Sequence, residues 1–96
     1  MDLATLEQRL KETNAIGVLT KLKLKNEIDD LLGRFRAYYQ GQVSTTLAEL
    51  RQPFETLFLK VLSLLQDSDP ALARAIAASR EAIWGILSDR SRFANL

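Results

Sequence analysis

The chain has no histidine and no cysteine. Without histidine it lacks the side chain most used as a general base near neutral pH and as a metal ligand. Without cysteine it forms no disulfide and no thiolate metal site, and the redox character of its compartment stays open. Long apolar runs are missing too, since none approaches the ~20 residues that cross a bilayer. No basic-then-apolar leader opens the sequence. The expectation is a soluble protein, cytoplasmic by default and exported only if a leader has been removed. An excess of charge is also absent. Thirteen Lys and Arg stand against twelve Asp and Glu, a net charge of +1, which supplies no long-range field for nucleic acid or anionic lipid.

What is present is the material of one small core. Ninety-six residues, 47% apolar and 26% charged, describe a single globular domain over residues 1–96 that buries about two-thirds of its unfolded surface. The densest apolar stretch runs from Phe54 to Leu65. Extended back to Leu47, positions 47, 50, 54, 57, 61 and 64 step by three and four, the spacing of one helix face. Glu49, Gln52, Thr56, Lys60 and Ser63 collect opposite. Leu59 stands alone among them.

Other segments repeat the pattern. Residues 2–14 predict a short first helix with a seam of Leu3, Leu6 and Leu10, interrupted by Asn14 and Gly17. Residues 14–23 are undecided between period two and period 3.6. No second strand candidate exists to pair with, so a bend is expected, with helix resuming near Thr20. From Leu24 the arc of Ile28, Leu31, Leu32, Phe35, Tyr38 and Tyr39 predicts a second helix ending at Gln40, with Gly41 as its C-terminal glycine. Val18, Leu19 and Leu22 fall off that arc, which suggests a change of direction before Leu24.

Thr46 and Glu49 have the form of a capping box for a third helix. Pro53 sits inside it while the apolar seam keeps phase, so one bent helix is expected. Ser68 or Asp69 then caps a fourth helix with Pro70 at its first position. That helix is expected to reach Leu87, with Leu72, Ile76, Ile83, Ile86 and Leu87 inward. A lane of Ala71, Ala75, Ala78, Ala82 and Gly85 would let a neighbour approach closely. Phe93 and Leu96 follow on a terminal turn, expected to fold back as a lid. The fold class is all-α, an antiparallel up-down bundle of four helices. A three-helix core with a loosely docked first helix is the alternative.

Candidate chemistry is sparse. Glu27, Asp29 and Asp30 form the densest acidic cluster, read as a solvated face with an Asp30–Arg34 pair and not as converging catalytic carboxylates. Lys21, Lys23 and Lys25 make a small basic patch. No aromatic is interleaved to stack on bases, so nucleic acid is not the expected partner. A small helical enzyme binding an anion would place basic residues inside an apolar arc. Arg51 comes closest, and Arg80 lies at a margin, where long side chains snorkel. Ser79 lies mid-arc without an activating base, its hydroxyl expected to bond back one turn.

Trp84 is the side chain with most to explain. It falls outside the main arc, with Arg80 one turn before it and Ala77 beside it, a composition typical of binding hot spots. The candidate interface is therefore Trp84, Arg80, Ala77 and Leu59. The expected function is a non-catalytic helical module that binds a protein partner or itself. A carrier of a small apolar ligand comes second and a small all-α enzyme third. No catalytic residue, cofactor or metal ligand is assigned.

Overall fold

The computed structural model describes residues 3–96, with side chains from Ala4 onward. The expected start of the first helix at residue 2 and the place of Leu3 in its seam lie outside the described residues. The described residues hold six helices and no strand. They are α1 (Leu3–Glu12), α2 (Val18–Tyr39), α3 (Leu47–Leu65), α4 (Pro70–Ala78), α5 (Arg80–Leu87) and α6 (Arg90–Ala94). Six elements stand where four were expected, because the fourth helix divides at Ser79 and the terminal turn is itself helical.

α3 lies at the centre, packed against both α2 and α4. Its buried residues are Leu50, Phe54, Phe58, Val61 and Leu65. Leu47, Leu57 and Leu64 are half-buried. The inward face is thus rotated by roughly 30° from the expected seam, at ~100° per residue. The neighbours account for this. α2 lies on the Lys60 side, where the Lys60 ammonium meets Glu27 at 2.6 Å, and α5 lies on the Arg51 side, where Arg51 meets Glu81 at 2.6 Å. Phe58 and Leu65 fall between them. Pro53 lies inside an unbroken helix, as the in-phase seam implied. Half of the capping box forms. The Thr46 hydroxyl accepts from the Glu49 amide at 3.1 Å, while the Glu49 carboxylate takes the Thr45 hydroxyl at 2.8 Å.

α2 resumes at Val18, two residues before the expected point, and continues without interruption to Tyr39. The expected bend lies in the loop at residues 13–17, and within α2 the helix is unbroken from Val18 through Leu24. Ile16, buried to 4% exposure, anchors the loop, and Gly17 in extended backbone caps the helix with no side-chain acceptor. Helical hydrogen bonding needs no burial of Val18, Leu19 or Leu22, so these residues stay in solvent. At the other end Gly41 has φ 72°. Its amide reaches the Tyr38 carbonyl and the Gln42 amide reaches that of Ala37. This double bond pattern closes the helix and needs a left-handed residue, which glycine adopts without a Cβ clash.

α1 is held by more than its seam. Leu6 and Leu10 are buried, and the buried Thr13 hydroxyl donates to Asp69 at 2.9 Å. The same carboxylate accepts the Leu72 amide at 3.2 Å as the N-cap of α4. One aspartate thus starts α4 and fastens the α1–α2 loop to it.

The division at Ser79 has a local cause. Its hydroxyl donates to the Ala75 carbonyl at 2.9 Å, the back-bond expected of it. Its amide turns to Ile76, one residue short of helical register. The backbone register slips at this one residue, yet the inward face carries across it: Leu72, Ile76, Ser79, Ile83 and Leu87 are all buried, at steps of four and three. The small-residue lane finds no neighbour. Ala71, Ala78 and Ala82 face solvent, and a Cβ on Gly85 would meet only the Arg92 guanidinium, at 3.6 Å. The buried alanine of this segment is Ala73.

Candidate interaction surface

Trp84 is not left in water. It is half-buried, its ring centroid 5.1 Å from Phe54 and 5.8 Å from Phe35. The Phe93 lid does not supply this cover. Phe93 lies against Tyr39 at 5.3 Å and Phe35 at 6.0 Å. The cover comes from α3 and α2, which supply Phe54 and Phe35.

The guanidinium over Trp84 belongs to Arg51, 4.8 Å from the ring centre, and not to Arg80. Arg51 is set at the edge of the α3 core face, one turn from Phe54 and Glu55. Its fork engages Glu55 at 2.7 Å and Glu81 at 2.6 Å. Arg80 joins the same network through Glu55 at 3.4 Å and Glu81 at 3.8 Å. The result is a two-arginine, two-glutamate clamp between α3 and α5. It holds the arginine flat against the indole, where dispersion and the ring quadrupole both favour it. The clue in the sequence was a basic residue between the directions of two apolar ones. Only the position of α5 reveals its partner.

These contacts bear on acid sensitivity. The hydrogen bond from Arg51 is the largest influence on Glu81, and it lowers the pKa of that carboxyl below its ordinary value. A depressed carboxylate pKa contributes stability above the unfolded value near ~4.5, and that contribution fades as pH falls through the folded value. Glu81 is exposed, so solvent screens most of the effect.

Of the expected interface residues, Leu59 and Ala77 are exposed. Leu59 lies one turn beyond Glu55 on the same flank of α3. Arg80 is half-buried in the clamp and Trp84 is drawn inward, so the four do not form one free aromatic–arginine patch. Asp29 and Asp30 lie on a solvated face, as expected, but the cluster's ion pairs are Lys25–Asp29 at 3.1 Å and Lys60–Glu27 at 2.6 Å, not Asp30–Arg34. Among the described residues, no three acidic side chains group as a metal site would require.

Tyr39 donates its hydroxyl to the Leu87 carbonyl at 2.6 Å, tying the end of α2 to the end of α5. Burial is the main reason its pKa is raised, with Tyr38 and Asp89 adding to it. A raised tyrosine pKa stabilises the fold below the unfolded value near ~10, and that stability is lost as pH climbs through the folded value. Tyr39→Phe should cost about 1 kcal/mol in a denaturant titration. In an alkaline absorbance titration it should remove the phenol whose ionisation burial delays.

The largest exposed apolar cluster lies elsewhere, at the start of α2. Val18, Leu19 and Leu22 retain 81%, 77% and 56% of their surface. They occupy two adjacent turns on the side away from Leu24, Leu31 and Phe35, which face the core. This segment is therefore apolar on two sides of one helix. Sequence reading took the second side as a sign of altered chain direction. No protein-family model, no curated protein and no solved structure matches the chain.

Proposed function

We propose that the chain is a non-catalytic helical interaction module whose main contact surface is the outward face of Val18, Leu19 and Leu22. The scaffold we read as an antiparallel bundle of four arms, α1, α2, α3 and the α4–α5 pair, with α6 across one end. One observation carries the reading. Three large apolar side chains lie together in solvent on a helix already anchored through its other side. Such a face adds nothing to folding, whereas exposed apolar clusters rimmed by polar groups mark contact sites.

A second reading keeps the α3–α5 flank, where exposed Leu59 and Ala77 lie beside the Arg51–Arg80 clamp, as a surface for a protein partner or a second copy. A carrier of a small apolar ligand is less well supported. The apolar space among α1 to α5, lined by Leu10, Leu31, Leu57 and Ile83, is about 60 Å³, below the several hundred Å³ of ligand sites. The larger hollows, of about 770 and 330 Å³, carry charged side chains, Glu7, Arg36 and Arg90 in one and Glu7, Lys21 and Asp29 in the other.

The test replaces Val18, Leu19 and Leu22 together with serine. The unfolding midpoint should hold or rise, since each change at an exposed site alters stability by under ~0.5 kcal/mol. Association with another molecule, followed by light scattering and native mass spectrometry, should be lost. A loss of several kcal/mol would show that the face is covered within the chain and end the proposal. Association that survives this variant but disappears in Leu59→Ser would assign contact to the α3–α5 flank.

A further inference from the structure

We infer that the outward face at the start of α2 docks on an anionic membrane surface. The inference rests on the contact role proposed above and names the partner. At ~100° per residue, Val18, Leu22 and Leu19 cover an arc of ~100°. Lysines stand on both shoulders of that arc, Lys25 and then Lys21 on one side and Lys23 on the other. From Thr13 to Asn26 there are three lysines and no acid, a local charge of +3 within a chain of +1. The remainder therefore carries −2 (+1 less +3). Whole-chain balance had argued against anionic lipid. A surface, however, senses charge within a screening length of ~10 Å. The charged groups of this segment and of the groove beside it, Lys11, Lys21, Lys23 and Lys25 against Glu7 and Asp29, leave +2 (four less two).

The arrangement suits the water–lipid boundary. Apolar side chains enter below the headgroups, while lysine stems lie along them and their ammonium groups stay among the phosphates. Lys23 makes no ion pair among the described residues. Lys21 donates to the Lys11 carbonyl at 2.6 Å and Lys25 to Asp29 at 3.1 Å. Both contacts are exposed, and each ammonium keeps donors to spare. α2, 22 residues long and so ~33 Å, exceeds both shorter dimensions of the molecule, 25 and 21 Å, against a length of 40 Å. Its first turns therefore lie toward one end and can meet a surface while Asp29 and Asp30 remain further back. No helix among the described residues is long and apolar enough to cross a bilayer, so the contact is peripheral.

Other occupants fit less well. A second copy packed symmetrically on this face would set lysines against the same lysines. The groove beside it, about 330 Å³, has Leu10, Leu24 and Ile28 among its lining. That lining also carries Glu7 and Asp29, together with Val18 and Leu22 of the face itself, so an acidic helix laid in the groove would meet two carboxylates. Leu19 and Lys23 lie outside the groove and are exposed.

The test is co-sedimentation of the full chain with phosphatidylcholine vesicles, with and without a third of phosphatidylglycerol. Binding should require phosphatidylglycerol and weaken as salt rises. Lys21→Gln, Lys23→Gln and Lys25→Gln together should weaken it on the order of 100-fold, at about fivefold per lysine near an anionic surface. The triple serine variant at Val18, Leu19 and Leu22 should abolish it, with an unchanged circular dichroism melt in each case. No binding, equal binding to neutral vesicles, or full binding by the glutamine variant overturns the inference. If vesicles fail but the face mediates self-association or binds a synthetic acidic amphipathic peptide, the lipid partner is wrong and the contact role stands. If the face binds none of these, both readings fall.

Discussion

Phe35→Ala should destabilise the chain by ~3–5 kcal/mol, the largest loss expected of any single substitution proposed here. Phe35 is the meeting point of three parts of the fold, fully buried at 0% exposure. Its ring lies within 6.5 Å of Tyr39 from its own helix, 5.8 Å of Trp84 from α5 and 6.0 Å of Phe93 from α6. Removing a buried phenylalanine side chain costs ~3–5 kcal/mol, the lost transfer energy plus the cavity left behind. A domain of this size holds ~5–15 kcal/mol in all, so a large share of that margin would go. Phe35→Leu keeps much of the volume and should cost about 1.5 kcal/mol or less. Denaturant titration followed by circular dichroism separates the two. A loss under ~1 kcal/mol for Phe35→Ala would mean that the three helices are held together elsewhere.

Trp84→Ala should be the next most damaging change, at about 3 kcal/mol. The substitution empties the space between Phe54 and Phe35 and removes the ring on which Arg51 rests. Glu55 and Glu81 then hold an arginine whose apolar support has gone. Indole emission should be blue-shifted and partly shielded from quencher in the native chain. An interface role alone predicts the opposite outcome, an unchanged melt with weakened association. Unaltered stability in Trp84→Ala would return this residue to the surface role that its sequence position suggested. Trp84→Phe keeps a ring under Arg51 and should recover roughly half of the loss.

The sequence by itself determined the local features of this protein. Helix ends were legible because their signals lie within a few residues, as with Thr46, Asp69 with Pro70, and Gly41. The all-α class followed from apolar spacing of three and four with no strand to pair. The Ser79 back-bond was foreseeable too, since its acceptor is one turn away. Its consequence was not. Whether a hydroxyl merely accompanies a helix or divides it depends on the packing that decides if the backbone amide keeps its register.

Everything that depends on a neighbour was decided by the tertiary structure. The inward face of α3 turned toward Phe58 and Leu65 because α2 and α5 sit on either side of it. Arg51, not Arg80, found the tryptophan, because α3 packs Arg51 and Phe54 against the Trp84 ring. Val18, Leu19 and Leu22 looked like evidence for a bend, since apolar residues in a small protein are expected to find cover. Only the folded chain shows that Ile16 and Leu24 fix this segment from one side and leave the other in solvent. Helical periodicity records which residues share a face. It holds no term for what lies opposite, and in a bundle of short helices the partner alone decides whether a face becomes core or surface.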